Sequence, residues 1–167
     1  MRIYLVRHAE AVERAGDMTD AHRHLSARDR LSFRETARKA KQEDIRPVRI
    51  LTSPLLRAAQ TAEILSERIG FDGEVAVEPS LAPGFTLEKL VDLLDACPGD
   101  GELALVGHEP DLGVVVTRLL SLPRPFAMRK GAVAALDLPD AGNRSRGVLA
   151  WLLEGDRMVS DVSKLLR

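Results

Sequence analysis

The stretch Arg2-Ile3-Tyr4-Leu5-Val6-Arg7-His8-Ala9 is a short apolar run that ends on a cation and an imidazole. Four consecutive apolar residues predict a buried strand, here at about residues 2–7. A second run, Leu103-Ala104-Leu105-Val106-Gly107-His108, also ends on a histidine. Ligand-binding groups of open α/β sheets gather at the carboxyl ends of the strands, so both histidines are expected at one sheet edge. Two imidazoles beside an arginine favour chemistry on a phosphoryl group.

Strand and helix patterns alternate along most of the chain. Apolar runs predict strands at about residues 2–7, 48–52, 74–78, 103–107, 132–138 and 148–153. Apolar residues at helical spacing predict helices over 27–43, 55–69, 87–94 and 112–120. Only a turn region at 140–147 separates the last two strands, which predicts an antiparallel hairpin. We expect an α/β fold: a single-domain, three-layer αβα sandwich over residues 1–167 with a mixed, mainly parallel sheet.

Composition and charge exclude several classes of function. The 167 residues are 45% hydrophobic, which is enough for one domain with a core. A net charge of −1 gives no electrostatic basis for binding nucleic acid, and no apolar run is long enough to span a membrane. Cys97 is the single cysteine, so an intrachain disulfide is excluded and a reducing compartment is favoured. We expect a cytoplasmic protein without nucleic-acid or membrane partners, a monomer by default.

A third strand-to-helix junction carries another cation. Ser53-Pro54 follows the strand predicted at 48–52, and because serine is a favoured N-cap and proline a favoured first helical residue, a helix is expected to begin there. Such a helix start is a ready anion site. Arg57 lies one turn further on. Taken singly, Arg57 is an ordinary surface arginine, and His8 and His108 are ordinary buried histidines.

Three such junctions in one chain together favour a functional site over these ordinary structural roles. Neutral imidazole is a good nucleophile toward phosphorus near neutral pH. A phosphoryl group in transfer spreads negative charge over its oxygens, which arginine can bind bidentately. One attacking histidine, two arginines and a second histidine form a sufficient set without a metal ion or a cofactor.

Several motifs resemble those of a known family. The segments similar to the three motifs of the histidine phosphatase superfamily are Arg7-His8-Ala9, Ser53-Pro54-Leu55-Leu56-Arg57-Ala58-Ala59-Gln60-Thr61-Ala62 and Gly107-His108. The segments that resemble its phosphohistidine phosphatases of the SixA type are Asp20-Ala21-His22-Arg23-His24-Leu25-Ser26 and Lys130-Gly131-Ala132-Val133-Ala134. The resemblance extends over nearly the whole chain.

This resemblance implies roles for individual residues. His8 is then the nucleophile, which passes through a phosphohistidine intermediate. Arg7, Arg57 and His108 form the phosphate pocket, and Arg23 is a further candidate for binding the phosphate. The implied fold is that of the phosphoglycerate mutases, and neither metal nor cofactor is required.

The chain departs from the family pattern in three places. Ala9 replaces the usual glycine of the first motif, and Asp29 stands where many members have glycine; both are mild changes at turns. The third departure bears on the substrate. Larger members carry a glutamate general acid where this chain has the stretch 79–84, which Glu78 and Glu88 only flank.

The missing acid favours cleavage of a P–N bond. An alkoxide leaving group needs a proton, and a positioned acid is worth ~10²–10⁴-fold. Phosphohistidine differs, because its ring can already carry a proton and leave as neutral imidazole. The stretch between Gln60 and Gly107 is also too short for the insertion that covers sites specific for small metabolites. A phosphohistidine-containing protein is therefore the expected substrate.

Two rival functions remain open: a phosphomonoesterase acting on small-molecule phosphates, and a non-catalytic module that only binds a phosphoryl group. A metal centre is not expected. His22 and His24, with Asp17 and Asp20 nearby, match no common zinc spacing and are expected in a polar loop beside the site.

Overall fold

The computed structural model describes residues 1–97, 101–139 and 143–166. The strands are β1 (Arg2–Arg7), β2 (Pro47–Thr52), β3 (Val75–Val77), β4 (Glu102–Gly107), β5 (Val133–Asp137), β6 (Val148–Glu154) and β7 (Arg157–Val159). The α-helices are α1 (Ala27–Gln42), α2 (Leu56–Ile69), α3 (Leu87–Ala96) and α4 (Asp111–Leu119). Single 3₁₀ turns occur at Asp20–His22, Pro79–Leu81 and Val162–Lys164. Within these described ranges no helix combines the length and the apolar character needed to cross a bilayer.

The strands form a seven-stranded mixed sheet in the order β3-β2-β4-β1-β5-β6-β7 over the described residues. The strands β1, β4, β2 and β3 pair in parallel, and β5, β6 and β7 are added by antiparallel pairing. In the central pair, Arg7 lies opposite Gly107. The residues that follow each of them, His8 and His108, therefore leave the sheet side by side. The predicted α/β fold with a mixed sheet is confirmed, including the β5–β6 hairpin.

The sheet is covered on both faces, which explains why its central strands are apolar throughout. Side chains alternate between faces along a strand, so Ile3 of β1 contacts an apolar cluster that includes Leu90 of α3 and Val115 of α4. Tyr4 belongs to the opposite cluster, together with residues of α1 and α2 such as Phe33. These two clusters place helices on either side of the sheet and give the αβα layering.

Two details differ from the prediction. Helix α2 begins at Leu56 rather than at Pro54, because Ser53 still donates its backbone N–H to Val106 at the sheet edge (3.0 Å). Strand β7 was not predicted, since three residues with one buried side chain give too weak a pattern. Part of the predicted turn region at 140–147, namely 140–142, lies outside the described residues.

Candidate active site

Parallel pairing brings four of the five predicted site residues together at one edge of the sheet. His8 donates its backbone N–H to the carbonyl of Gly107 (3.1 Å), which ties the end of β1 to the end of β4. The imidazole centroids of His8 and His108 are 5.1 Å apart. Arg57 reaches them from the first turn of α2, and Arg7 from the end of β1.

Two hydrogen bonds define the protonation of the His8 ring. Its Nδ1 lies 2.6 Å from the carbonyl oxygen of Ala9. A carbonyl oxygen only accepts, so Nδ1 carries the proton and Nε2 carries the lone pair. That lone pair accepts a hydrogen bond from Nε of Arg57 (3.2 Å). Burial lowers the pKa of His8 to about 3, and the neighbouring His108 and Arg57 act in the same direction. His8 is therefore neutral near pH 7, with Nε2 available for attack.

His108 faces the same space with one nitrogen unused. Its Nε2 lies 2.7 Å from Oγ of Ser53, whereas its buried Nδ1 has no hydrogen-bond partner in the described part of the chain. Burial, with Arg57 as the next largest cause, lowers the pKa of His108 to about 4. Buried polar atoms are nearly always satisfied, so a ligand atom or a water molecule is the expected partner of this nitrogen.

Arg7 shows the same feature. One terminal nitrogen of its guanidinium donates to the carbonyl of Met128 (2.6 Å), but its buried Nε has no partner among the residues that the structure describes. Met128 is in turn held by Glu109, whose carboxylate accepts its backbone N–H (3.2 Å). Arg7 is thus oriented by its own neighbours and keeps a donor free for an anion.

Arg57 spans from the buried histidine to the solvent. It is 7% exposed, and its two terminal nitrogens donate to the backbone oxygen (2.8 Å) and the carboxylate (3.0 Å) of Asp20. Arg23 binds the same carboxylate (3.1 Å) and the carbonyl of Val12 (2.9 Å). These two cations hold the pKa of Asp20 below its usual value, with the Arg23 hydrogen bond the larger cause. Arg23 therefore reaches the rim of the site through Asp20, and its hydrogen bonds are to Asp20 and Val12.

Two supporting residues were not assigned these roles from sequence. Ser53, taken as a helix cap, accepts the backbone N–H of Leu55 just before α2 (3.3 Å) and also holds His108. Thr61 donates to the carbonyl of Arg57 (2.7 Å) and accepts the backbone N–H of Ala9 (3.1 Å), which joins α2 to the loop after His8. Thr61 lies within the quoted motif segment, so motif membership was the only available signal.

The histidines that were weighed as metal ligands form hydrogen bonds away from His8 and His108. His22 and His24 form hydrogen bonds within their own loop, to Thr19 (2.7 Å) and to Leu25 (3.0 Å). Over the described ranges, no group of three or more histidine, cysteine or carboxylate side chains is placed to hold a metal ion.

The two glutamates that flank the stretch 79–84 are also engaged. Glu78 accepts the backbone N–H of Ser80 (2.9 Å), and Glu88 pairs with Arg118 on α4 (2.7 Å).

Comparison with known proteins places this geometry in a class. The family model of the histidine phosphatase superfamily, branch 1, matches residues 3–82. An uncharacterised protein of Picosynechococcus sp. (strain PCC 7002) is 38% identical over 120 residues, which are 68% of this chain and 69% of that protein. The chain belongs to the histidine phosphatase superfamily, and it is a phosphatase.

Within that class, the chain is similar to phosphohistidine phosphatase SixA of Escherichia coli (strain K12). The two are 27% identical over 153 residues, or 90% of this chain and 92% of SixA. A solved structure of the protein histidine phosphatase SixA with tungstate shares the fold with a TM-score of 0.81 at 24% identity, covering 93% of this chain and 97% of that chain.

Proposed function

We propose that this phosphatase removes the phosphoryl group from a phosphohistidine of another protein, through a phospho-His8 intermediate. The observation that carries the proposal is the His8 ring, which is neutral and held by Ala9 so that the Nε2 lone pair faces the site. Arg57 touches that lone pair, and the unpartnered Nε of Arg7 and Nδ1 of His108 lie at the same edge. The two arginines supply donors for the oxygens of one phosphoryl group, and His108 Nδ1 adds a third when Ser53 donates its hydroxyl hydrogen to Nε2.

The transfer occurs in two displacements. His8 Nε2 forms a bond to phosphorus while the P–N bond of the substrate breaks, and its electron pair stays on the leaving nitrogen. In the second displacement water attacks phosphorus, the electron pair of the P–Nε2 bond returns to His8, and the water proton leaves with the phosphate. Arg7, Arg57 and His108 bind the phosphoryl oxygens in both steps.

The carboxylates that face or flank the site offer little general acid for an alkoxide leaving group. Asp20 is held ionised by two arginines. Burial raises the pKa of Glu109, but its carboxylate accepts the backbone N–H of Met128 and so orients the segment that holds Arg7. Glu78 and Glu88 are engaged in other contacts. An alkyl ester needs a proton from such a group, whereas a ring protonated on its other nitrogen leaves without one. The likeness to SixA supports the same substrate class.

A phosphoenzyme trap tests the proposal. The protein is incubated with a histidine-containing phosphotransfer protein labelled with ³²P, then quenched in alkali. We expect an alkali-stable, acid-labile label on the wild type and none on His8→Ala. His22→Ala is the matched control, since His22 is an exposed histidine of the adjacent loop. Full turnover by His8→Ala would refute the proposal.

The rival functions give different results in the same experiment. A binding module retains the phosphoprotein but forms no covalent label. A phosphomonoesterase also forms the phosphoenzyme from small alkyl phosphates. Its kcat/KM for those esters is equal to or above its kcat/KM for the phosphoprotein. Our proposal requires that the phosphoprotein be the better substrate.

A further inference from the structure

Asp20 lies on the solvent side of the catalytic arginine. Arg57 contacts buried His8 through Nε, and it contacts Asp20 through both terminal nitrogens. The Asp20 side chain is 54% exposed, whereas His8 is 9% exposed. A substrate that approaches His8 from solvent therefore passes beside the Asp20 carboxylate.

Hydrogen bonds from two arginines hold this carboxylate in place. Arg23 binds one carboxylate oxygen of Asp20 and is itself tied to Val12. Arg57 binds the other oxygen. Two cations thus hold an ionised acceptor at the entrance, and each carboxylate oxygen still has capacity for a further donor.

We propose that Asp20 recognises the leaving imidazole, by accepting a hydrogen bond from the ring nitrogen that does not bear phosphorus. This inference rests on the proposed function and names the residue that selects its substrate class. In-line displacement places the leaving group opposite His8 Nε2, which is the side toward solvent. Asp20 is the carboxylate that Arg57 carries on that side.

The bond changes explain why such an acceptor is useful. A phosphohistidine protonated on its second nitrogen carries a positive ring, and a carboxylate stabilises that form. When the P–N bond breaks, its electron pair neutralises the ring, the N–H remains in place, and no proton has to come from the enzyme. The positive charge then resides on phospho-His8, whose Nδ1–H is bound by the Ala9 carbonyl. Each imidazole in the exchange therefore has an acceptor for its second nitrogen.

Recognition of the leaving imidazole by Asp20 differs from two simpler roles, which are blocking Arg57 and orienting Arg57. A carboxylate that only blocks the arginine would slow every phosphoryl substrate, and its removal would speed them all. One that only orients Arg57 would help every substrate equally. Asp20 as proposed discriminates: it assists a leaving group that carries an N–H and repels one that departs as an anion.

The test compares two small substrates, N-phosphoimidazole and p-nitrophenyl phosphate, so that protein docking plays no part. In Asp20→Asn we expect the ratio of kcat/KM for N-phosphoimidazole to kcat/KM for p-nitrophenyl phosphate to fall about tenfold or more, since a charge-assisted hydrogen bond is replaced by a neutral one. Asp17→Asn removes the same charge from an exposed position of the same loop and should leave the ratio unchanged.

An unchanged ratio in Asp20→Asn overturns the inference. Equal losses of kcat/KM on both substrates would show that Asp20 only orients Arg57, and equal gains would show that it only blocks Arg57. Neither result contradicts the proposed function, provided the wild type still hydrolyses the phosphohistidine protein. A wild type that fails on that protein and on N-phosphoimidazole refutes the proposed function, and the inference with it.

Discussion

The two buried histidines make the stability of the fold depend on pH in a defined window. Burial lowers the pKa of His8 to about 3 and that of His108 to about 4, from the ordinary histidine value of 6.5. Between about pH 4 and 6.5 the unfolded chain therefore binds protons that the folded chain does not. Stability then rises with pH and is lost on acidification. The perturbation is the removal of one histidine at a time, in His8→Gln and His108→Gln.

The magnitude follows from proton counting. One proton bound only by the unfolded state changes the free energy of unfolding by about 1.4 kcal/mol per pH unit. Each variant should therefore reduce the slope of unfolding free energy against pH by about that amount around pH 5, whatever it costs in absolute stability. The effect of His108→Gln should fade first as the pH approaches 4, since His108 has the higher folded-state pKa.

Urea unfolding followed by the fluorescence of Trp151, which is 6% exposed, measures this slope. His22→Gln, at an exposed loop position, is the control and should retain the wild-type slope. If His8→Gln also keeps the wild-type slope between pH 4.5 and 6, then His8 is not held neutral by burial. His8 would then not be a nucleophile kept neutral by its surroundings at pH 7.

Three further predictions concern the partner of His108, the packing of two glycines and the need for a metal ion. Ser53→Ala removes the partner of His108 Nε2 and should lower kcat/KM about three- to tenfold, the range of one net hydrogen bond; an unchanged value would remove Ser53 from the site. Gly113→Ala should destabilise the fold by about 1–3 kcal/mol in urea unfolding, because a Cβ there collides with the carbonyl oxygen of Phe126. Gly107→Ala, whose Cβ would meet Leu112 at 3.5 Å, should cost less than about 1 kcal/mol, and equal costs would contradict the packing argument. Activity should persist in excess chelator, and loss that returns with added metal would refute a metal-independent reaction.

Much of the site was predictable because parallel sheets have simple geometry. A short apolar run followed by Arg7-His8, and a second run followed by His108, must leave the sheet at the same edge when the two strands are parallel neighbours. The order of the strands was not predictable from these runs. Nothing in the apolar pattern of β1 states that β4 and β5 are its neighbours.

The parts that the sequence did not predict depend on contacts between distant segments. The proton on His8 is assigned by the Ala9 carbonyl and the Arg57 guanidinium, and Arg57 comes from another element. Arg23 binds Asp20, whose carboxylate also binds Arg57 from a distant helix, and a role for Arg23 in binding phosphate stays a prediction.

By itself, the sequence determined the class of chemistry, because the residue types at three strand-to-helix junctions suit a phosphoryl group. Uninterrupted apolar runs also determined a sheet covered on both faces. Tertiary structure alone decided which nitrogen of His8 carries the lone pair, which buried site atoms stay unpartnered in the described part of the chain, and which carboxylate lies beside Arg57. Those properties arise because folding brings Arg57 into contact with both His8 and Asp20, from which it is distant along the chain.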